Sequence, residues 1–293
     1  MSVVENIFEL IGNTPLVKIN KLNPNPKVKI YAKLEYFNPT GSLKDRIAKA
    51  MIEAAERSGK LTKDKTIVEA TSGNTGISLA WVARLKGYNC TLIMPKNVSK
   101  EKRKLLEALN AKIILTDTEL DAIKLGREMA KDPKYFLTDQ FCNEANWEAH
   151  YQTTAKEILS QTKGKITHFI AGIGTSGTIM GVARGLKEHN PRIQVIGVMP
   201  ENTRHEQEGL LNLKDYVPEI YDPKLVDEII TVKDENAFET ARRLATEEGI
   251  FAGISSGSTM YAAIKIAERL DKGLIVVLFG DSIFRYLEKL FST

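Results

Sequence analysis

The run Asn38-Pro39-Thr40-Gly41-Ser42-Leu43-Lys44-Asp45-Arg46 is a turn that leads straight into an amphipathic pattern, with Lys44 in the first turn of the predicted helix. Cations prefer the opposite end of a helix, so a lysine there is electrostatically misplaced. Two readings follow. Lys44 is a solvated side chain paired with Asp45, or it is an amine whose pKa is lowered by burial and dipole so that it forms a Schiff base with a carbonyl compound. A second chemistry comes from three Gly/Ser/Thr-rich segments: Thr71-Ser72-Gly73-Asn74-Thr75-Gly76, Gly172-Ile173-Gly174-Thr175-Ser176-Gly177-Thr178 and Gly253-Ile254-Ser255-Ser256-Gly257-Ser258. Each is expected to follow a strand and open a helix, where unpaired N–H groups favour an anion and small residues let it approach the backbone. One such loop is explained by capping alone. Three in one chain point to a ligand with several anionic groups.

The middle loop also satisfies G-x-G-x-x-G through Gly172, Gly174 and Gly177, with Glu201 downstream at the distance of a ribose contact. A nicotinamide-dependent oxidoreductase is therefore a rival reading. No Gly-Lys-Ser/Thr follows these glycines, so a Walker-type nucleotide site is not supported.

The elements that must carry these loops are short β-branched runs: Val28–Leu34, Thr66–Glu69, Cys90–Met94, Lys112–Leu115, His168–Ala171, Gln194–Val198 and Leu274–Leu278. Amphipathic segments lie between them, such as the one aligning Leu43, Ile47, Ala50, Met51, Ala54 and Ala55. The alternation predicts an α/β fold of mostly parallel sheets flanked by helices, with ligands at the carboxyl ends of the strands. The polar stretch Asp139–Asn146 suggests a boundary near residue 145, giving domains over 1–145 and 146–293.

A chain of 293 residues with 43% apolar and 27% charged residues is a folded protein of about two domains. The excess of 41 basic over 37 acidic residues is interleaved rather than clustered, so nucleic acid is not an expected partner. Cys90 and Cys142 have no CxxC spacing, and His150, His168, His189 and His205 have no metal-ligand spacing, so reduced thiols and no metal are expected. Trp81 and Trp147 read as core or interface aromatics. Met1–Asn6 does not read as a signal peptide, and no run reaches the roughly 18 apolar residues of a membrane span. A cytoplasmic location without membrane partners is the expectation.

From Ile11-Gly12-Asn13-Thr14-Pro15-Leu16-Val17 to Arg285-Tyr286-Leu287, the chain resembles the cysteine synthases (O-acetylserine sulfhydrylases, nearest the B type) and the cystathionine β-synthase catalytic core. These are pyridoxal-phosphate enzymes of the tryptophan-synthase-β fold, also called fold type II. The resemblance runs through the Lys44 turn, the Thr71–Gly76 loop, Asp139-Gln140-Phe141, His150-Tyr151, Gly174–Thr178 and Gly253–Gly257. It implies that Lys44 holds pyridoxal 5′-phosphate as a Schiff base and, once freed by the substrate, removes its α-proton. It implies further that Gly174, Thr175, Ser176, Gly177 and Thr178 bind the cofactor phosphate, that Asn74 bonds its 3′-oxygen, and that Ser255 faces its pyridine nitrogen. Thr71, Ser72, Thr75 and Gln140 then grip the substrate carboxylate.

The implied reaction is β-replacement: an O-activated serine loses its β-substituent to give an aminoacrylate, sulfide adds, and L-cysteine leaves. O-acetyl-L-serine is the expected donor. Two alternatives stay open. Arg204, His205 and Lys214 could meet a phosphate leaving group, as in an O-phosphoserine sulfhydrylase. Gly257-Ser258-Thr259, Asp281-Ser282 and His150–Ala155 lean towards cystathionine β-synthase, with homocysteine as nucleophile. The Asn202–Leu213 loop lacks the arginine pair of thiosulfate-using B-type enzymes, and the short stretch after Arg285 leaves no expectation of a regulatory module. The resemblance also implies a homodimer, a possible serine acetyltransferase partner, and part of the amino-terminal segment packed on the second domain.

Overall fold

The computed structural model describes residues 3–71, 73–96 and 98–291. In chain order the elements begin with β1 (Leu16–Ile19), β2 (Val28–Leu34), α1 (Lys44–Arg57), β3 (Thr66–Ala70), α2 (Asn74–Lys86), β4 (Asn89–Pro95), α3 (Lys100–Ala108) and β5 (Lys112–Thr116). They continue with α4 (Glu119–Met129), β6 (Tyr135–Leu137), α5 (Glu144–His150), a π turn over Tyr151–Ala155, α6 (Lys156–Thr162), β7 (His168–Gly172), α7 (Gly177–His189) and β8 (Gln194–Pro200). Last come β9 (Glu228–Val232), α8 (Asp234–Glu247), α9 (Ile254–Arg269), β10 (Gly273–Phe279) and α10 (Leu287–Phe291).

The chain divides into two units: residues 44–146, and residues up to Leu43 together with those from Trp147 onward. A division into 1–145 and 146–293 differs from this at its amino-terminal end. β2 pairs in parallel with β10 from Val28 opposite Gly273 to Leu34 opposite Phe279, and β1 adds antiparallel to β2. Those hydrogen bonds tie the first forty residues to the last strand of the sheet.

The larger unit carries a six-stranded sheet in the order β1-β2-β10-β7-β8-β9, parallel except for β1. Along β10, Ile275, Val277 and Phe279 enter one core with Ile170, while Val276 and Leu278 enter another with Phe169 and Ala171. Both faces are covered, which is why these strands read as unbroken apolar runs. The smaller unit holds four parallel strands in the order β5-β4-β3-β6, with Val68, Ala70 and Ile93 packed against Ala122 of α4.

Both sheets reverse direction once. In the smaller one the chain runs outward from β3 to β4 and β5, then returns to place β6 on the other side of β3. In the larger one it runs from β7 to β8 and β9, and β10 returns to the other side of β7. Ligands in open α/β sheets bind where strand order reverses, outside the carboxyl ends. The segments after β3 and β6, and after β7 and β10, therefore define two candidate regions.

Candidate active site

The turn before Lys44 is held by buried polar groups of the larger unit. Thr14 Oγ1 donates to Glu35 Oε1 at 2.6 Å, Asn38 Nδ2 donates to the Glu35 carbonyl at 2.7 Å, and the Gly12 amide donates to Asn38 Oδ1 at 2.8 Å. Beneath them Lys33, fully buried, donates through Nζ to the Thr14 carbonyl at 2.8 Å and to Glu157 Oε2 at 2.6 Å, so its charge is paired as burial requires. Gly41 turns the chain with φ +83°, and the Leu43 amide donates to the Gly280 carbonyl at 2.9 Å, just past β10. Lys44 is the next residue. It opens α1 half-buried, so it is not the fully solvated side chain of the simpler reading. Its neighbour Asp45 is fully buried and accepts from Ser78 Oγ at 2.6 Å, which ties α1 to α2.

The smaller unit's reversal point brings the expected carboxylate-binding residues together. Thr71 leaves β3 with its amide donating to the Ile93 carbonyl, and its Oγ1 accepts from the Gly73 amide at 3.2 Å. Asn74 and Thr75 are the first two residues of α2, Asn74 half-buried and Thr75 buried. Thr75 Oγ1 donates to Gln140 Oε1 at 2.7 Å, across from the segment after β6. Ser72 lies outside the described residues.

A group that sequence reading missed supports this cluster. Glu69, 2% exposed near the end of β3, accepts from Thr138 Oγ1 and from the Gln140 amide at 3.3 Å, while Gln140 Nε2 reaches the Ala70 carbonyl at 3.4 Å. Between them Asp139 holds a left-handed φ of +44°. Burial, partly offset by the Thr138 hydroxyl, pushes the Glu69 carboxyl up to about 8. Burial likewise raises the nearby Cys90 thiol to about 12. The available signal was a lone carboxylate inside the otherwise apolar run Ile67-Val68-Glu69-Ala70.

At the larger unit's reversal point, the loop after β7 is shaped by close backbone approach. A Cβ on Gly174 would lie 2.3 Å from the Gly209 carbonyl oxygen, so only glycine fits. The Leu211 amide donates to the Ile173 carbonyl at 2.7 Å, clasping the 202–213 segment onto the loop. Ser176 adopts the left-handed region at φ +71°, uncommon without glycine. Its Oγ is buried and has no hydrogen-bond partner among the described residues. α7 begins at the next residue and runs for 13 residues. A strained backbone, an unpartnered hydroxyl and a helix start together form a cradle for an anion.

The third Gly/Ser segment follows no sheet strand. Residues after α8 reach Ala252, which makes an isolated bridge to Ser282, and α9 starts at Ile254. Ser255 is thus a half-buried helical residue rather than a loop residue. Gly257 is needed because a Cβ there would meet the Ala237 carbonyl oxygen at 2.0 Å where α8 crosses α9. Of the three polar residues suggested for a phosphate leaving group, Arg204 and Lys214 are exposed, and His205 accepts the Gln207 amide through Nδ1 at 3.2 Å. Burial lowers the His205 pKa, which disfavours the charged ring that a phosphate leaving group would call for. No cluster of metal-ligating side chains occurs among the described residues, and no helix among them is long and apolar enough to cross a membrane.

A family model described as pyridoxal-phosphate dependent enzyme matches residues 7–281. The chain belongs to that family. Its cofactor is accordingly pyridoxal phosphate, and the dinucleotide reading of Gly172, Gly174 and Gly177 is overturned. Among relatives of this pyridoxal-phosphate-dependent chain, the cysteine synthase of Aquifex aeolicus (strain VF5) is 46% identical over 297 residues, covering 97% of the chain and 90% of the relative. A crystal structure of a hydrogen sulfide-producing enzyme from Fusobacterium nucleatum superimposes with TM-score 0.93 at 43% identity, covering 98% of this chain and 99% of that one. Cysteine synthase from Entamoeba histolytica superimposes with TM-score 0.95 at 35% identity, covering 100% and 92%. The residues present fit the cofactor on their own chemistry: the Gly174 cradle and the Ser176 hydroxyl suit its phosphate dianion, and Lys44 supplies a primary amine.

Proposed function

We propose that this enzyme makes L-cysteine from O-acetyl-L-serine and sulfide, with Lys44 as the amine that binds the cofactor aldehyde and moves the substrate α-proton. The observation that carries the reading is the neutral donor cluster of Thr71, Thr75 and Gln140 at a strand-order reversal, in a chain 46% identical to a cysteine synthase. Bound pyridoxal phosphate supplies the electron sink that makes the α-proton acidic and the β-substituent labile. Gly174, Thr175, Ser176, Gly177 and Thr178 hold its phosphate through backbone and hydroxyl donors. Asn74 would donate to its 3′-oxygen. Ser255 would face its pyridine nitrogen with a neutral hydroxyl, which unlike a carboxylate would not hold that nitrogen protonated.

Thr71, Ser72, Thr75 and Gln140 orient the substrate by its carboxylate, leaving the α-proton to Lys44 Nζ. The enzyme works as a homodimer in the cytoplasm. The deciding experiment follows the visible absorbance of the holoenzyme with O-acetyl-L-serine, O-phospho-L-serine or L-serine, and then with sulfide, while cysteine is quantified. A band that shifts with O-acetyl-L-serine and returns with sulfide, with cysteine formed, is expected. A response to O-phospho-L-serine or serine alone would overturn the donor assignment, and light scattering at monomer mass would overturn the dimer.

A further inference from the structure

His150 takes no part in the roles assigned above, yet it is fully buried at the end of α5, with both ring nitrogens engaged. Nε2 lies 3.1 Å from Thr178 Oγ1, in the first turn of α7, and Nδ1 lies 2.9 Å from Thr154 Oγ1. Two local features of the chain produce this reach. The helix widens into a π turn over Tyr151–Ala155, a feature frequent at functional sites. Three residues beyond Thr178, on the same face of α7, Gly181 leaves room: a Cβ there would lie 2.1 Å from the Trp147 carbonyl oxygen and 2.8 Å from His150 Cβ. A side chain at 181 would push His150 away from Thr178.

The arrangement has a direction. A threonine hydroxyl has one proton to give. If Thr178 donates to Nε2, only lone pairs face a neighbouring anion. If it accepts from Nε2–H, its own O–H is free to donate outward. Which nitrogen carries the proton is decided by the partner of the other one. Thr154 Oγ1 can donate to Nδ1, leaving the proton on Nε2.

We propose that His150 is a positioning residue for the cofactor phosphate: as the Nε2–H tautomer, fixed by Thr154, it donates to Thr178 Oγ1 and so turns the Thr178 hydroxyl into a donor to a phosphate oxygen. The inference rests on the assignment of the 174–178 loop to the phosphate. No proton changes owner in this relay. It aligns three hydrogen bonds in one direction, ending at the anion, and each donor is polarised by the one behind it.

The test uses holoenzyme of the parent and of Thr178→Ala, His150→Ala, His150→Gln, Thr154→Val and the Thr178→Ala/His150→Ala double variant. Two readouts are needed: the pyridoxal-phosphate dissociation constant and the 31P shift of the bound phosphate. Thr178→Ala should weaken binding about tenfold, the size of one hydrogen bond to a charged group. His150→Ala should weaken it about fivefold and move the 31P resonance in the same sense, and adding it to Thr178→Ala should cost less than about twofold more. Glutamine presents an amide N–H near the position of Nε2, so His150→Gln should stay within about twofold of the parent. Thr154→Val, close to isosteric, should shift the 31P resonance as His150→Ala does, and it decides the matter if His150→Ala does not fold. If Thr178→Ala leaves affinity and resonance unchanged, the phosphate assignment fails. If Thr178→Ala weakens binding while His150→Ala and Thr154→Val do not, or if His150→Ala is additive with Thr178→Ala, or if glutamine fails to rescue, the assignment stands and the role of His150 falls.

Discussion

The two reversal points obey one topological rule but are finished in opposite ways. After β3 and β6 side chains bond across the segment: Thr75 donates to Gln140, Gln140 donates to the Ala70 carbonyl, and Glu69 accepts from the Gln140 amide. After β7 the loop is braced by glycine contacts and a left-handed Ser176, whose hydroxyl has no partner among the described residues. An unsatisfied buried hydroxyl costs about 1–3 kcal/mol, a cost that a hydrogen bond to a phosphate oxygen removes. Such a loop suits a cofactor that stays. A Thr75–Gln140 pair that can trade its own hydrogen bond for one to a carboxylate suits a substrate that arrives and leaves at every turnover.

Three substitutions probe the comparison. Lys44→Ala leaves both loops intact and removes the amine, so turnover should fall by at least about a thousandfold, read by cysteine formation and by loss of the covalent cofactor band. Full turnover by this variant would end the assignment of Lys44. Gly174→Ala places a methyl 2.3 Å from the Gly209 carbonyl oxygen and must open the loop. A loss of cofactor affinity of about a hundredfold is expected by equilibrium dialysis, with the KM for amino acid in cofactor-saturated enzyme changed much less. Thr75→Val should do the reverse, raising that KM about tenfold while the cofactor dissociation constant stays put. If both variants moved both constants alike, the division of labour between the loops would be lost.

What the sequence reveals depends on whether a residue meets its partner locally. β7, β8 and β10 are legible because both faces of the sheet are covered. Of the four edge strands, β1, β6 and β9 carry a weak apolar signal, β9 reading Glu-Ile-Ile-Thr-Val with Ile229 exposed, whereas β5 keeps the run Ile113-Ile114-Leu115 and is legible. The division at residue 43 was invisible locally, since the partner of β2 lies some 245 positions away in β10. Lys44 and the loop glycines stand out by chemistry next to a helix start. Glu69 and His150 do not, because each is hydrogen-bonded to a residue remote in sequence, 69 positions away for Thr138 and 28 for Thr178. The third Gly/Ser segment looked like a loop because small residues also serve helix–helix contact, as Gly257 does against α8.

Glu69 offers the finest separation of the two loops, since it supports one and has no counterpart described beneath the other. Its carboxyl is raised from 4.5 to about 8 in the fold, chiefly by burial. Between those values the unfolded chain has released the proton while the folded chain keeps it. Stability must therefore fall as pH rises from about 4.5 to about 8, then level off, with at most about 5 kcal/mol at stake. Glu69→Gln cannot ionise but keeps an oxygen to accept from Thr138 and the Gln140 amide. Its urea-unfolding free energy should be flatter over that pH range than the parent's, with the amino-acid KM near pH 6.5 within about threefold of the parent and cofactor affinity unchanged. A parent and variant with parallel pH profiles would mean that Glu69 is already ionised in the fold, and a shifted cofactor affinity would mean that its support reaches past the substrate loop.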